Sequence, residues 1–217
     1  MEESLERFKQ LFYGDELQAA AELLATLKPS LAELTPEMQK LQEDLEYIEY
    51  AKDLYACPQW NAVKNSDGIS VECKGADTEL ICKITTTIDA PLLHVLSVVA
   101  EVQLLHNWVE TATDYSVFSE PTHFRKLLHY NIWFPWPFKD RSCFMECVAV
   151  PVKEQKAALI ILRSPKTGTY LGQPIPRFDE TRPRVQMHIA IFHVQYLSET
   201  QTKFTLIVRA NPSIVSA

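Results

Sequence analysis

Between residues 115 and 210 the sequence passes through six strand-like stretches, near 115–119, 124–134, 142–152, 157–163, 185–197 and 203–210, with no helical pattern between them. Neighbouring parallel strands need a crossover of a dozen or more residues, usually a helix. The connections here include turns as short as Glu120-Pro121-Thr122, Lys153-Glu154-Gln155 and Ser198-Glu199-Thr200, so the strands are expected to run antiparallel. A longer polar, proline-bearing stretch from Ser164 to Arg184 interrupts them. Upstream, Ile69, Val71 and Cys73 alternate with Ser70, Glu72 and Lys74 after an Asn65-Ser66-Asp67-Gly68 turn. Gly75-Ala76-Asp77 turns again, and Leu80, Cys82, Ile84, Thr86 and Ile88 alternate in the same way. Asp89 then reads as the cap of one helix, with Pro91 in its first turn, running through Leu92, Val95, Leu96, Val99 and Val102 to about Trp108. Short strands, one helix and a long antiparallel run give an α+β order. A single curved sheet in this order wraps around something, and a helix across its mouth encloses a cavity.

The first 57 residues follow a different period. Leu5, Phe8, Leu11 and Phe12 form a helical stripe, Gly14-Asp15 reads as a stop and a new N-cap, and Leu17, Ala20, Ala21, Leu24 and Leu27 continue on a second helix. Pro29 and Pro36 punctuate. Thr35 is expected to cap a third helix with Pro36 at its first position and Leu41, Leu45, Ile48, Ala51, Leu54 and Tyr55 along its apolar side. This segment also holds the charge asymmetry. It carries 13 Asp/Glu against 5 Lys/Arg, a net of −8, whereas residues 58–217 carry 15 acidic and 16 basic residues, a net of +1. A near-neutral remainder without a basic stripe argues against nucleic acid as the main partner, since phosphate binding requires clustered Lys and Arg.

Cys57, Cys73, Cys82, Cys143 and Cys147 are odd in number and show no CxxC spacing, which points to reduced thiols and to no zinc site or disulfide framework. The N-terminus lacks a signal-peptide pattern and no apolar run reaches the roughly 20 residues of a membrane span, so a cytoplasmic protein is the default. Catalytic motifs are missing as well. There is no HExxH, GxSxG or Gly-rich phosphate loop, and His129, His188 and Glu146 are only loose candidates for acid/base work, so no catalytic residue, metal site or cofactor is expected.

One loop stands out. Trp133-Phe134-Pro135-Trp136-Pro137-Phe138-Lys139-Asp140-Arg141 sets large rings on a proline-stiffened connection that cannot pair as a central strand. Such rings either plug a core from one end or project toward a ligand or membrane. Trp prefers the membrane–water boundary because its apolar body carries an N–H tip. Trp136, Pro137 and Phe138 are therefore read as the projecting centre, and Trp133, at the strand end, as packed.

Taken together, Trp60 followed by Asn65-Ser66-Asp67-Gly68-Ile69-Ser70-Val71, the helix ending in Leu105-His106-Asn107-Trp108, Trp136-Pro137-Phe138-Lys139-Asp140-Arg141, and Ala210-Asn211-Pro212 form an ordered set over about residues 37–217. In this set the chain resembles the START (steroidogenic acute regulatory protein-related lipid transfer) domain family. The resemblance implies a helix-grip fold, a curved antiparallel sheet around a cavity for one lipid, reached without covalent chemistry. It divides the chain into an N-terminal helical extension, 1–36, and a lipid-binding domain, 37–217. It also makes Trp136, Pro137 and Phe138 a lid that touches membrane, gives Arg141 and Trp108 structural roles, and puts Glu110 and Tyr130 near the lipid's polar end. Strand alternation would set Leu128, Ile132 and Phe134 on the face of Tyr130, with Cys143, Met145 and Cys147, and His188, Ala190, Phe192 and Val194, as further inward candidates.

START domains close with a long C-terminal helix that grips the sheet, and this chain stops at Ser213-Ile214-Val215-Ser216-Ala217. On that reading the sequence is a fragment or isoform, or else the N-terminal helices or a partner cover the groove. The implied partners are a lipid (sterol, phospholipid or sphingolipid) and a transient membrane surface, with the protein peripherally membrane-associated. A protein partner would bind through the acidic N-terminal helices. A lipid-sensing scaffold with a degenerate cavity and a helix-grip enzyme are the alternatives.

Overall fold

Alternating apolar residues with short turns build one antiparallel sheet. The structure, a computed structural model, describes residues 2–29, 33–75, 81–101, 104, 107–176 and 182–211. Three helices come first, α1 (Glu2–Tyr13), α2 (Leu17–Leu27) and α3 (Pro36–Ala56). They are followed by β1 (Asn61–Ser66), β2 (Ile69–Lys74), β3 (Ile81–Ile88), α4 (Leu92–Ala100), β4 (Ala112–Thr122), β5 (Arg125–Ile132), β6 (Arg141–Val152) and β7 (Ala157–Arg163). A small hairpin, β8 (Thr169–Tyr170) and β9 (Gln173–Pro174), sits inside the long polar loop before β10 (Gln186–Ser198) and β11 (Gln201–Asn211). The main sheet has the order β1-β2-β3-β11-β10-β7-β6-β5-β4 and is curved and open, with β1 and β4 as edges. Expectations that fall on Ala76, Asp77, Leu80, Val102, Leu105, His106 and 212–217 lie outside the described residues.

Three local expectations are corrected. Asn65 and Ser66 belong to β1, and the turn is the two residues Asp67-Gly68 at φ 55° and 75°, the left-handed geometry that suits a tight hairpin. Asp89 does not cap α4, whose N-cap is Pro91 and which ends at Ala100; the Asp89 carboxylate accepts from Gln201 Nε2 at 2.9 Å instead. Asp15 is likewise not the cap of α2, a position held by Glu16. Its carboxylate reaches across to the sheet, accepting from Thr122 Oγ1, the Phe124 amide and Arg125.

Side-chain period 2 gives the sheet two faces, each with its own cover. On one face α3 packs Ile48, Ala51 and Leu54 against Val148, Leu159, Ile161, Ile189, Ile191 and Ile207. Thr35 Oγ1 accepts from the Met38 amide at 3.3 Å and starts this helix as expected. The α1–α2 hairpin then seats Phe8, Leu11, Phe12, Ala20 and Leu24 on Met38 and Leu41 of α3. On the other face α4 lies against β10 and β11.

The helical layer is also held by buried charge. Asp44, fully buried on α3, accepts from Lys40 Nζ and from Arg125 Nε at 3.1 Å, and Arg125 reaches Asp15 at 3.0 Å. Lys40 meets Glu146 at 3.0 Å, and Arg163 bridges Glu146 at 2.9 Å and Glu43 at 2.7 Å. Charges this far from water persist only when paired and hydrogen-bonded, so the network ties α1–α2, α3 and strands β5–β7 into one arrangement.

His193, on the same face, is 3% exposed, stacks on Tyr55 at 4.2 Å and shares Nε2 with Gln155 Oε1 at 2.8 Å. Burial, helped by Lys203, lowers its pKa from 6.5 to about 4. The folded state thus resists a proton that the unfolded chain accepts, so its share of stability is intact above about pH 6.5 and is lost as pH falls toward 4. We expect urea midpoints to fall across this window, and His193→Gln to flatten the slope. An unchanged slope would remove the histidine from the account.

Candidate binding cavity

Opposed residues in an antiparallel ladder share a face, so the registers trace rows across the sheet. One row runs Lys126, Cys147, Leu162, Ala190, Val208. Another runs Ala149, Ile160, Phe192, Leu206. Both rows, together with Leu128, Tyr130 and Met145, line a cavity of about 660 Å³, roofed by Leu93, Leu96, Val99 and Ala100 of α4 and by Trp108 and Val109 beyond it. The volume lies within the range of about 300–1,000 Å³ usual for small-molecule sites. Polar side chains are few: Ser97, Glu101, His123, Lys126 and Tyr130. Lys126 is ion-paired with Glu120 at 3.0 Å.

Leu128, Tyr130, Met145, Phe192 and Trp108 all line this space. Trp108 meets Phe192 edge-on at 6.1 Å, so it stands in the wall itself. Tyr130 stands opposite Cys143 in the β5–β6 ladder, and burial, with Cys143 beside it, holds the phenol well above its usual range. The Cys143 and Cys147 thiols are pushed up to about 11 and about 12, again by burial. Burial thus keeps the Tyr130 phenol and the Cys147 thiol of the wall protonated.

Glu110, Ile132 and His188 are placed elsewhere. Glu110 is exposed after Trp108, and Ile132 packs against the cluster of Leu128, Cys143, Met145 and Val185 without itself lining the cavity. His188 is exposed because the register shifts between Met187 and Ile189, so Met187, Ala190 and Phe192 take the inward positions. A bulge adds one residue to a strand and swaps the faces beyond it. His129, which shares a hydrogen bond with Ser142 Oγ at 3.0 Å, and Glu146, within the ion network, belong to the helical face. The three acid/base candidates are thus not assembled at the cavity. What the sequence reading missed is Lys126 and the α4 residues off the 92/95/96/99 stripe. The signal was available, since Leu92–Ala100 is apolar nearly all round.

In the aromatic loop Trp136 is 92% exposed, Phe138 37%, and Pro137 is also exposed. Trp133 is 52% exposed, contrary to the packed position expected, because β5 ends at Ile132. Phe134 is the half-buried ring instead, with the Arg141 guanidinium 5.6 Å from it. The base of the loop is tied by Trp133 N–H to the Thr111 carbonyl, Phe134 N–H to Asp140, and the buried Arg141 to the Lys139 carbonyl. None of residues 133–140 is among those lining the cavity.

No protein-family model matches the sequence, and no curated protein matches it either. Solved structures do. Human StAR-related lipid transfer protein 5 superimposes with a TM-score of 0.70 at 13% identity, covering 81% of this chain and 84% of that one. Human STARD10 gives 0.67 at 16%, covering 78% and 68%. The lipid transfer and protein localization domain of human StarD13 (DLC2) gives 0.62 at 12%, covering 79% and 84%. The chain thus has the α+β, START-like helix-grip fold.

Proposed function

We propose that the chain binds one lipid in the cavity beneath α4 and carries it between membranes, without covalent chemistry. The observation that carries this reading is the wall itself. Rows of Leu, Ile, Met, Phe and Val side chains face inward over about 660 Å³, where an apolar ligand would be held by burial alone. Sterol, phospholipid and sphingolipid all fit that chemistry, and the names of the superimposed proteins support the lipid class. The protein acts in the cytoplasm and meets membrane peripherally through Trp136, Pro137 and Phe138. No described helix is long and apolar enough to cross a bilayer, which fits a surface contact.

Native mass spectrometry of the purified protein tests the reading: we expect one lipid per chain, retained or taken up from vesicles. Ala190, at the middle of the wall, is the place to block it. Ala190→Trp fills the space and is expected to reduce uptake at least tenfold while the fold is kept. Uptake equal to wild type by this variant, with its thermal transition intact, would refute the cavity as the site.

A further inference from the structure

We propose that Cys73 and Cys82 form an oxidisable dithiol site on the cavity face of the sheet, which closes into a cross-strand disulfide with a peroxide as co-reactant. The register sets Cys73 directly opposite Cys82 in the antiparallel β2–β3 ladder. Opposed residues there have Cα atoms about 4.5 or 5.5 Å apart, and either spacing lies within the roughly 4.4–6.8 Å that a disulfide spans. Their side chains leave the ladder on the same face. Both thiols are free and only half-buried.

The other cysteines lack this arrangement. Cys143 and Cys147 are opposed by Tyr130, Lys126 and Leu162, with no cysteine across from either. Cys57 follows the C-terminus of α3 beside Lys74, whose side chain leaves β2 on the opposite face from Cys73. A small apolar filler would be buried, and Cys73 and Cys82 are not. They extend the cavity row one strand at a time, since Cys82 faces Val208 and Val208 is in the wall.

The chemistry balances. The sulfur of one of the two cysteines attacks one peroxide oxygen, the O–O bond breaks, and a sulfenic acid and water result. The sulfur of its cross-strand partner then displaces the hydroxyl, the S–S bond forms, and a second water leaves with the thiol proton. Burial, with Cys73 alongside, pushes the Cys82 thiol up to about 11.

The test is to treat the native full chain with a small excess of hydrogen peroxide, alkylate the remaining thiols and map the peptides. The intact mass should fall by two hydrogens, free thiols should fall from five to three, one peptide pair should join Cys73 to Cys82, and a phosphine should reverse it. Cys73→Ser and Cys82→Ser should each abolish the link. The proposal is overturned if both residues stay alkylatable in the native protein while Cys57 oxidises. A link through any other pair, or one that forms only in urea, overturns it as well. None of these outcomes depends on lipid binding.

Discussion

Asp44→Ala is expected to lower the stability of this protein by about 3 kcal/mol or more, the cost of removing one partner from a buried ion pair. The reason is geometric. Asp44 is fully buried and accepts from both Lys40 Nζ and Arg125 Nε, so its loss leaves two cations in a dry site with only Glu146 and Asp15 to satisfy them. For a chain of this length the melting temperature should fall by about 10 °C. Circular dichroism melts of wild type and variant measure it, and a shift under about 2 °C would show that the network is not what holds the helical layer. A second substitution set separates charge from packing. Replacing the group together, Lys40→Met with Asp44→Leu and Arg125→Met, should cost less than Asp44→Ala alone, because no buried charge is orphaned.

The second large effect concerns transfer and spares stability. Trp136→Ala is expected to slow lipid exchange between vesicles at least about tenfold, since withdrawing one large ring from a membrane contact forfeits about 1.5–3 kcal/mol. At 92% exposure the ring has little protein contact to lose, so the melting temperature should stay within the effect of about 0.5 kcal/mol usual for a surface change. The base of the loop is held by hydrogen bonds from Trp133, Phe134 and Arg141, which keeps the tip presented when its ring is removed. Vesicle exchange of a fluorescent lipid reads the rate. Exchange at the wild-type rate would rule out the membrane role of Trp136.

These two sites also differ in how far a sequence reader can see them. Trp136 announces itself, because a ring between prolines on a loop has no strand partner to bury it. Asp44 does not, since on α3 it looks like one more acidic residue of a solvated side. Its partners are Lys40 on the same helix and Arg125, 81 positions away on β5. Only the tertiary fold brings them within hydrogen-bond range.

The residue pattern alone located the three N-terminal helices, α4 and the six long strand stretches, and gave the antiparallel sense of the strands joined by short turns. The 3.6 and 2.0 periods are set by local backbone geometry, and turns of two or three residues permit no crossover. The family resemblance singled out Tyr130, and strand alternation set Leu128, Met145 and Phe192 among the inward candidates that do line the cavity, alongside Ile132 and His188, which do not. The tertiary structure decided what local period cannot. One register shift between Met187 and Ile189 sends His188 outward. The end of β5 at Ile132 leaves Trp133 half in water, and α4 lends the cavity a side that its stripe did not show. Whether β2 and β3 meet Cys73 to Cys82 is a matter of register too. Strand ends, bulges and pairing are settled by the packing of distant segments against one another, and a one-residue slip reverses every facing beyond it.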